Sequence, residues 1–269
     1  MSSIVVKDVE ETNSLVWFRN DLRINDNQAL NSVLSAPGKV IGFYCFNLSM
    51  FKMTNLGFRR IDKFRAKFLL ETIENLKEDL KRINITLIIT IGNPVEELIK
   101  VISQKKINNI FYQKEWTQEE VDEEDELKSK CNDINFRSFY SQFLYDPDDL
   151  DINNISNVFT NFRKHCEKKL KVKDLAESPK KLLEDNLLKD DYLIPSLSDL
   201  SLEDFEIDSR SAFKFKGGYN AAKERLDFYI WHSKKINFYK QTRNGLIGQD
   251  YSSKFSSWLS NGSISAREI

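Results

Sequence analysis

TLIITIGNPVEELIKVISQKKINNIFYQK, residues 86–114, reads as strand, helix and strand. TLIITIG is apolar and rich in β-branched residues, the pattern of a strand covered on both faces. Asn93 is a good helix N-cap, and Pro94 suits the first helical position, where its missing N–H is not needed. INNIFYQK (107–114) is then a second strand. Strands joined through a helix pair in parallel, which predicts an α/β fold.

The same alternation extends to both sides. SLVWFR (14–19) and KVIGFYCF (39–46) are apolar strand candidates, and INFRSFY (134–140) is a fifth. RRIDKFRAKFLLETIENLKEDLKRI (59–83) places Ile61, Phe64, Phe68, Leu69, Ile73, Leu76 and Leu80 on one helical face. Thr117 and Glu120 have the spacing of a capping box for the helix that follows. The expectation is a doubly wound, parallel five-stranded sheet over residues 14–145. In such sheets ligands sit at the carboxyl ends of the strands. No GxGxxG follows the first strand and no GxxxxGK[ST] occurs, so neither common phosphate loop is present. The loop after the first strand carries Arg19, Asp21, Arg23 and Asp26 instead. It reads as a charge-paired turn, with Asp26 or Asn27 capping QALNSVL. EEVDEEDE (119–126) reads as a solvated helix face whose first carboxylates suit the helix N-terminus.

Bulk properties remove several classes. The chain has 269 residues, 41% hydrophobic and 30% charged, with a formal net charge of -1. Affinity for nucleic acid must therefore come from a local patch. Cys45, Cys131 and Cys166 are odd in number and widely spaced, which fits reduced thiols in a cytoplasmic setting. With two histidines and no ligand spacing, no metal site is expected. No apolar run approaches the ~20 residues of a membrane span. MSSIVVKDVEETNS reads as neither a secretory signal nor a transit peptide.

Residues 146–200 change in texture, mixing charge with leucine around Pro179 and Pro195. They read as a connector whose leucines pack on something, including a short basic helix at 156–170, with a second domain beginning near 200. In that second part, Gly217-Gly218 is a turn and Tyr219 to Trp231 a helix with Ala222, Leu226, Phe228 and Tyr229 inward. Ser252, Ser253 and Ser256 then cluster around Lys254 and Phe255. Two readings stand: hydroxyls and amides gathered at a helix N-terminus as a phosphate site, or a capped helix burying Trp258 and Leu259.

VWFRNDLRINDNQAL (16–30) and GGYNAAKERL…YKQTRNGLIGQDYSSKFSSWLSNGSISAREI strongly resemble the photolyase/cryptochrome family, and TRNGLIGQDYSSKFSSWL is similar to its cryptochrome DASH branch. The resemblance runs along the whole chain. It implies an N-terminal α/β antenna domain (14–145), a connector (146–200) and the start of a helical FAD-binding domain (201–269). Tyr239, Ser252, Ser253, Lys254, Phe255 and Ser256 match the family's first FAD-contacting segment, which addresses the diphosphate. Glu115 matches an antenna-contacting position, the antenna of this branch being 5,10-methenyltetrahydrofolate. Arg243 is the residue to expect at DNA. Tyr219, Ser257, Ser263 and Ala266 depart from the family's Glu, Pro, Cys and Pro, which affects helix placement more than membership.

The resemblance implies light-driven, FAD-dependent splitting of cyclobutane pyrimidine dimers, preferably in single-stranded DNA. It also implies that the family's chain continues for roughly another 150–200 residues, an ordinary domain length. That part holds the isoalloxazine pocket, so no catalytic residue is expected here. These 269 residues alone are expected to be inactive, with sticky apolar faces at Phe255, Trp258 and Leu259, unless a downstream chain completes the fold. Three alternatives stay open: a photoreceptor or nucleic-acid-binding regulator of the same fold, a stand-alone nucleotide-binding module, and an inactive remnant. Basic residues after 217 outnumber acidic ones eight to four, which suits a phosphate-facing surface or a solvated helix face.

Overall fold

The computed structural model describes residues 12–269 apart from 152 and 154. The N-terminal segment 1–11, read above as neither signal nor transit peptide, lies outside the described residues.

Five parallel strands form one sheet: β1 (Asn13–Trp17), β2 (Val40–Asn47), β3 (Thr86–Gly92), β4 (Ile107–Gln113) and β5 (Asn135–Phe139). Their order is β3-β2-β1-β4-β5. The chain winds outward from β1 in one direction and then crosses to wind in the other, as the sequence predicts. Side chains alternate across the pleat. Val16 and Phe18 go to one layer with α1 (Gln28–Val33) and α3 (Lys63–Arg82). Leu15 and Trp17 go to the opposite layer with α4 (Pro94–Gln104) and α5 (Gln118–Lys130). Asn93 caps α4 by accepting from the Val95 and Glu96 amides at 2.9 and 3.1 Å. Of the two cap candidates for α1 it is Asn27 that serves, accepting from Leu30 at 3.0 Å.

Three local expectations need correction. Thr117 stands at the N-cap of α5 but makes no side-chain cap bond, so the capping box does not form. Phe64 is 66% exposed rather than on the buried face of α3, and rests edge-on against Phe205 at 4.5 Å. The acidic block on α5 is not a wholly solvated face. Glu124 is buried and accepts from the Tyr112 hydroxyl and the Lys128 ammonium, each at 2.6 Å. Arg19 reaches across to it: Nη2 donates to the Glu120 carbonyl at 2.8 Å, and the guanidinium lies 3.8 Å from Glu123 and from Glu124. A buried cation drew these carboxylates inward, and its partners lie about a hundred residues away in sequence.

After the short helices α2 (Leu48–Phe51) and α6 (Phe159–Lys169), the connector packs on the sheet. Leu182, Tyr192, Ile194, Leu197, Leu200 and Leu202 join the α1/α3 layer. Asn186 is the seam: its amide donates to the carbonyls of Val40 and Asn84 at 3.0 and 2.7 Å and accepts from the Val40 amide at 2.8 Å. Some of the connector's leucines thus find a packing partner, whereas Leu175, Leu183 and Leu193 are 51%, 78% and 80% exposed.

Residues 213–264 build a third apolar cluster on α7 (Tyr219–Leu226) and α9 (Ser256–Ser260), centred on the fully buried Trp258 with Ala222, Leu226, Tyr229, Phe255 and Ile264. Phe68 of α3 joins it, with ring centroids 5.8 Å from Trp258. Gly217 lets α7 sit close on α3, because a Cβ there would stand 2.0 Å from the Phe68 carbonyl. The helix read from Tyr219 to Trp231 ends its α-helical part at Leu226 and continues as a π turn, Asp227–His232. Tyr229 is buried as expected, whereas Phe228 is 40% exposed. Leu259 is likewise 39% exposed, whereas Phe255 and Trp258 are covered.

The last residues return to the first loop. Arg267 binds Asp26 through two bonds of 3.0 and 2.7 Å, and both side chains are buried. Arg23, also buried, donates to the carbonyls of Gly262, Asp26 and Ser141. Gly262 has φ +71, and a Cβ would stand 2.0 Å from the Asn20 carbonyl. The charge-paired turn is therefore a clasp for residues 261–267, and the two stretches that carry the resemblance meet in space.

Candidate functional site

Two neighbourhoods gather functional side chains. The first is the turn 249–256. Arg225 lies on the same stripe of α7 as Ala222, Leu226 and Tyr229, and is buried. Its guanidinium takes the carbonyls of Ser253 at 3.0 Å, Ser252 at 3.0 Å and Gln249 at 3.2 Å, and the Asp250 carboxylate at 2.8 Å. The rings of Phe215 and Tyr229 flank it at 4.8 and 5.0 Å. In a trans peptide the N–H points opposite to the C=O. With those carbonyls drawn to Arg225, the amides of Asp250, Ser253 and Lys254 are directed away from it.

Lys254 adopts the left-handed conformation, φ +66, and Phe255 follows in the right-handed one. Successive residues of opposite hand turn their N–H groups into a shared concavity, a geometry that receives anions. The Lys254 ammonium sits 3.4 Å from the Tyr251 ring centroid. Thr242 ties α8 (Tyr239–Thr242) to this turn by donating to the Tyr251 carbonyl at 2.9 Å. Tyr239 and the 252–256 run are thus on linked segments. Among the described residues, the hydroxyls of Ser252, Ser253 and Ser256 bind no other protein group. The helix-terminus reading needs correction: α9 has five residues and its N-cap, Phe255, makes no side-chain cap bond. A concavity of backbone amides stands where a capped dipole was expected. Arg243 is exposed at the end of α8, joined to it through its own amide and the Tyr239 carbonyl.

The second neighbourhood is a cleft of about 1020 Å³ at the carboxyl ends of β1 and β2, roofed by Phe213, Ser257, Ser260 and Asn261. Arg19, Tyr44, Met50, Arg60, Glu120 and Glu123 are among its walls. Arg19 Nη1 and Glu120 Oε2 are buried there without a hydrogen-bond partner. Burial pushes the Glu123 carboxyl above the usual carboxylate range, against the pull of Arg19. Burial also raises the Cys45 thiol, to about 11, which keeps it a neutral wall of the cleft. Glu115 follows β4, outside the cleft walls; it accepts from Gln113 at 3.0 Å, and its carboxyl is raised mainly by burial.

Arg225 escaped the reading of the sequence. The signal was present: one charged residue on the apolar stripe 222–226–229. The Arg19–Glu120 pairing had no local signal. Among the described residues no group of three His, Cys, Asp or Glu side chains is placed to hold a metal ion, and no helix is long and apolar enough to cross a membrane.

Residues 14–181 match the family model described as DNA photolyase. The chain is 39% identical over 259 residues to Cryptochrome DASH of Gloeobacter violaceus, covering 95% of this chain and 52% of that one. It is 35% identical over 260 residues to Cryptochrome DASH of Xenopus laevis, covering 93% and 49%. A solved Synechocystis cryptochrome superposes with a TM-score of 0.88 at 34% identity, over 96% of this chain and 54% of that one. The archaeal photolyase of Sulfolobus tokodaii, solved with two FAD molecules, shares the fold at a TM-score of 0.66 and 20% identity. The chain spans about half the length of the curated relatives it matches.

Proposed function

The chain belongs to the DNA photolyase family, in its cryptochrome DASH branch, and from that premise we propose that it supplies the antenna domain and the first FAD-contacting segment of a blue-light flavoprotein. The proposed division is 14–145 for the antenna domain, 146–200 for the connector and 201–269 for the start of the helical domain. The observation that supports this most is the amide concavity at Lys254–Ser256, held by Arg225 and flanked by unpartnered serine hydroxyls. The residues fit a diphosphate: backbone and hydroxyl donors converge, Lys254 adds charge, and Tyr239 stands on the segment that Thr242 ties to the turn.

When bound at the 252–256 turn and reduced, FAD would supply the light-driven electron for splitting a cyclobutane pyrimidine dimer. The part of this chain in that reaction is binding and orientation. Arg225 fixes the turn, the 253–256 donors hold the diphosphate, and Arg243 stands exposed for a DNA phosphate. The proposed substrate is a dimer in single-stranded DNA, where extruding the lesion costs less. This chain by itself is proposed to bind FAD weakly and to repair nothing, because the turn offers a contact to one part of a large ligand.

A second reading concerns the cleft. Its unpartnered Arg19 and Glu120 atoms offer a donor and an acceptor in the same cleft, which suits the edge of a pterin or other nucleotide-like ring. This supports an antenna cofactor, 5,10-methenyltetrahydrofolate by the branch, in the sheet domain; Glu115 remains its other proposed contact. The deciding experiment is the near-ultraviolet and blue absorption of the purified chain after gel filtration with FAD or with the folate. Flavin binding that is measurable by titration, lost on gel filtration and abolished in Arg225→Met supports the first reading. A folate band alone supports the second, and dimer repair by this chain alone would overturn the claim of inactivity.

A further inference from the structure

Before the 249–256 turn the helical layer presents an apolar face that the rest of the described chain leaves open. The π turn, the 3₁₀ turn Lys235–Phe238, α8 and the loop 243–248 follow one another along it. Trp231, Ile236, Phe238, Leu246 and Ile247 stand exposed there. Leu246 and Ile247, at 86% and 95%, are the most exposed large apolar side chains among the described residues. Hydrogen bonds close the backbone that carries them. The Ser233 amide and hydroxyl both donate to the Phe228 carbonyl at 2.8 Å. The Asn237 amide donates to the Lys234 carbonyl at 3.1 Å, and the Gly245 amide to the Thr242 carbonyl at 2.8 Å. Contiguous exposed apolar groups on a fixed backbone mark a contact surface.

The charges on this face have one sign. From Phe228 to Gln249 there are four basic residues, Lys234, Lys235, Lys240 and Arg243, and no acidic one. The carboxylates that bound the stretch are taken: Asp227 pairs with Lys223 at 3.1 Å, and Asp250 with Arg225 at 2.8 Å and Lys235 at 3.6 Å. Lys234, Lys240 and Arg243 enter no ion pair among the described residues. Two copies meeting through this face would set like charges against each other, which disfavours a homodimer. An apolar stripe with a carboxylate rim would meet both the open side chains and the unpaired cations. Helices as short as those of this layer draw their stability from packing on further structure, and the curated relatives are about twice as long as this chain.

Resting on the family reading above, we propose that the 228–248 face docks an amphipathic helical polypeptide with acidic residues beside its apolar stripe, and that it does so without flavin. The occupant is the part of the relatives' length that this chain does not span, supplied as a separate polypeptide. Trp231, Phe238, Leu246 and Ile247 enter its apolar stripe, and Lys234 and Lys240 pair with its rim. The apolar side chains hold the complex, while the lysines steer encounter and fix register.

The test co-expresses this full chain with the second half of the Gloeobacter violaceus relative as a separate polypeptide, and measures the complex by gel filtration with light scattering, in the dark and without flavin. A one-to-one complex is expected. Leu246→Asp/Ile247→Asp, at two side chains that stand in water, should weaken it roughly 30-fold or more, the scale of an interface hot spot, and leave the melt of this chain alone unchanged. Lys234→Glu/Lys240→Glu should slow association on the order of 10-fold at low salt and lose that effect at high salt. No complex with a soluble second half overturns the proposal, as does a complex that Leu246→Asp/Ile247→Asp leaves unchanged. Self-association of this chain, or binding to phosphatidylserine vesicles, that the same variant abolishes while the second half goes unbound would assign the face to another occupant and overturn it as well. With no flavin present, loss of flavin binding at the 249–256 turn leaves this outcome untouched, and a chain that titrates with flavin yet takes no partner defeats this inference alone.

Discussion

The sheet and the segment after Gly217 both carry many aromatic residues but treat them differently. Every strand of the sheet supplies two layers, so Trp17 and Phe18, adjacent in sequence, are buried on opposite faces. After Gly217 there is one layer. Its inner side buries Tyr229 and Trp258 completely, while Trp231, Phe238, Leu246 and Ile247 on the same stretch are 68%, 59%, 86% and 95% exposed. Its helices are short, with four residues in α8 and five in α9, and such helices hold only through tertiary contact. The comparison teaches that this chain carries two grades of stability: a core that closes by itself, and a layer that leans on it through Phe68, Gly217 and the 261–267 clasp.

Trp258→Ala tests this most severely. It should cost the helical layer about 3–5 kcal/mol. Hydrogen exchange should show amides of 219–264 losing protection while those of β1–β4 keep theirs. Loss of protection in both regions together would make the molecule one cooperative unit. Asp26→Asn should follow, at roughly 3 kcal/mol, because it leaves Arg267 buried without its partner. Removing both charges in Asp26→Asn/Arg267→Met should cost less than the single change. Urea melts of the three proteins measure this.

Alkaline pH sharpens the comparison from the side of the sheet. Burial, and then the Glu124 carboxylate, push the Tyr112 hydroxyl up from 10.0 to about 12. The folded chain therefore keeps a proton that the unfolded chain loses above pH 10. Stability should fall as pH rises from about 10 to about 12, and Tyr112→Phe should fall less steeply over that window. The smallest effects separate the caps. Asn93→Ala removes a real cap and should cost about 1 kcal/mol. Ser256→Ala and Thr117→Ala remove none and should stay within about 0.5 kcal/mol. Thermal melts distinguish the two outcomes.

What the sequence made legible was whatever repeats locally. The strand–helix–strand at 86–114, the Asn93 cap, the Asn27 alternative for α1, and the apolar face of α3 apart from Phe64 are short-range patterns and lie where expected. What it concealed depends on distant partners. The carboxylates at 119–126 look solvated until Arg19 arrives from the end of β1. Arg225 looks like an ordinary helix arginine until the carbonyls of 249–253 close around it. Phe228 is turned outward beside the buried Tyr229, because 222, 226 and 229 share the inner stripe. The serines at 252–256 drew attention by composition, yet the local geometry there is set by the left-handed backbone of Lys254.

The clasp between Asp26 and Arg267 has a consequence in time. The two residues are 241 positions apart. At translation rates of about 5–20 residues per second, Asp26 waits roughly 12–50 s for its partner to be made. The sheet can be assembled on the ribosome during that interval, with Arg23 and Asp26 still accessible to water. The helical layer is fastened only when the last few residues of the clasp have emerged, so synthesis itself sets the order in which the two parts of this molecule become one.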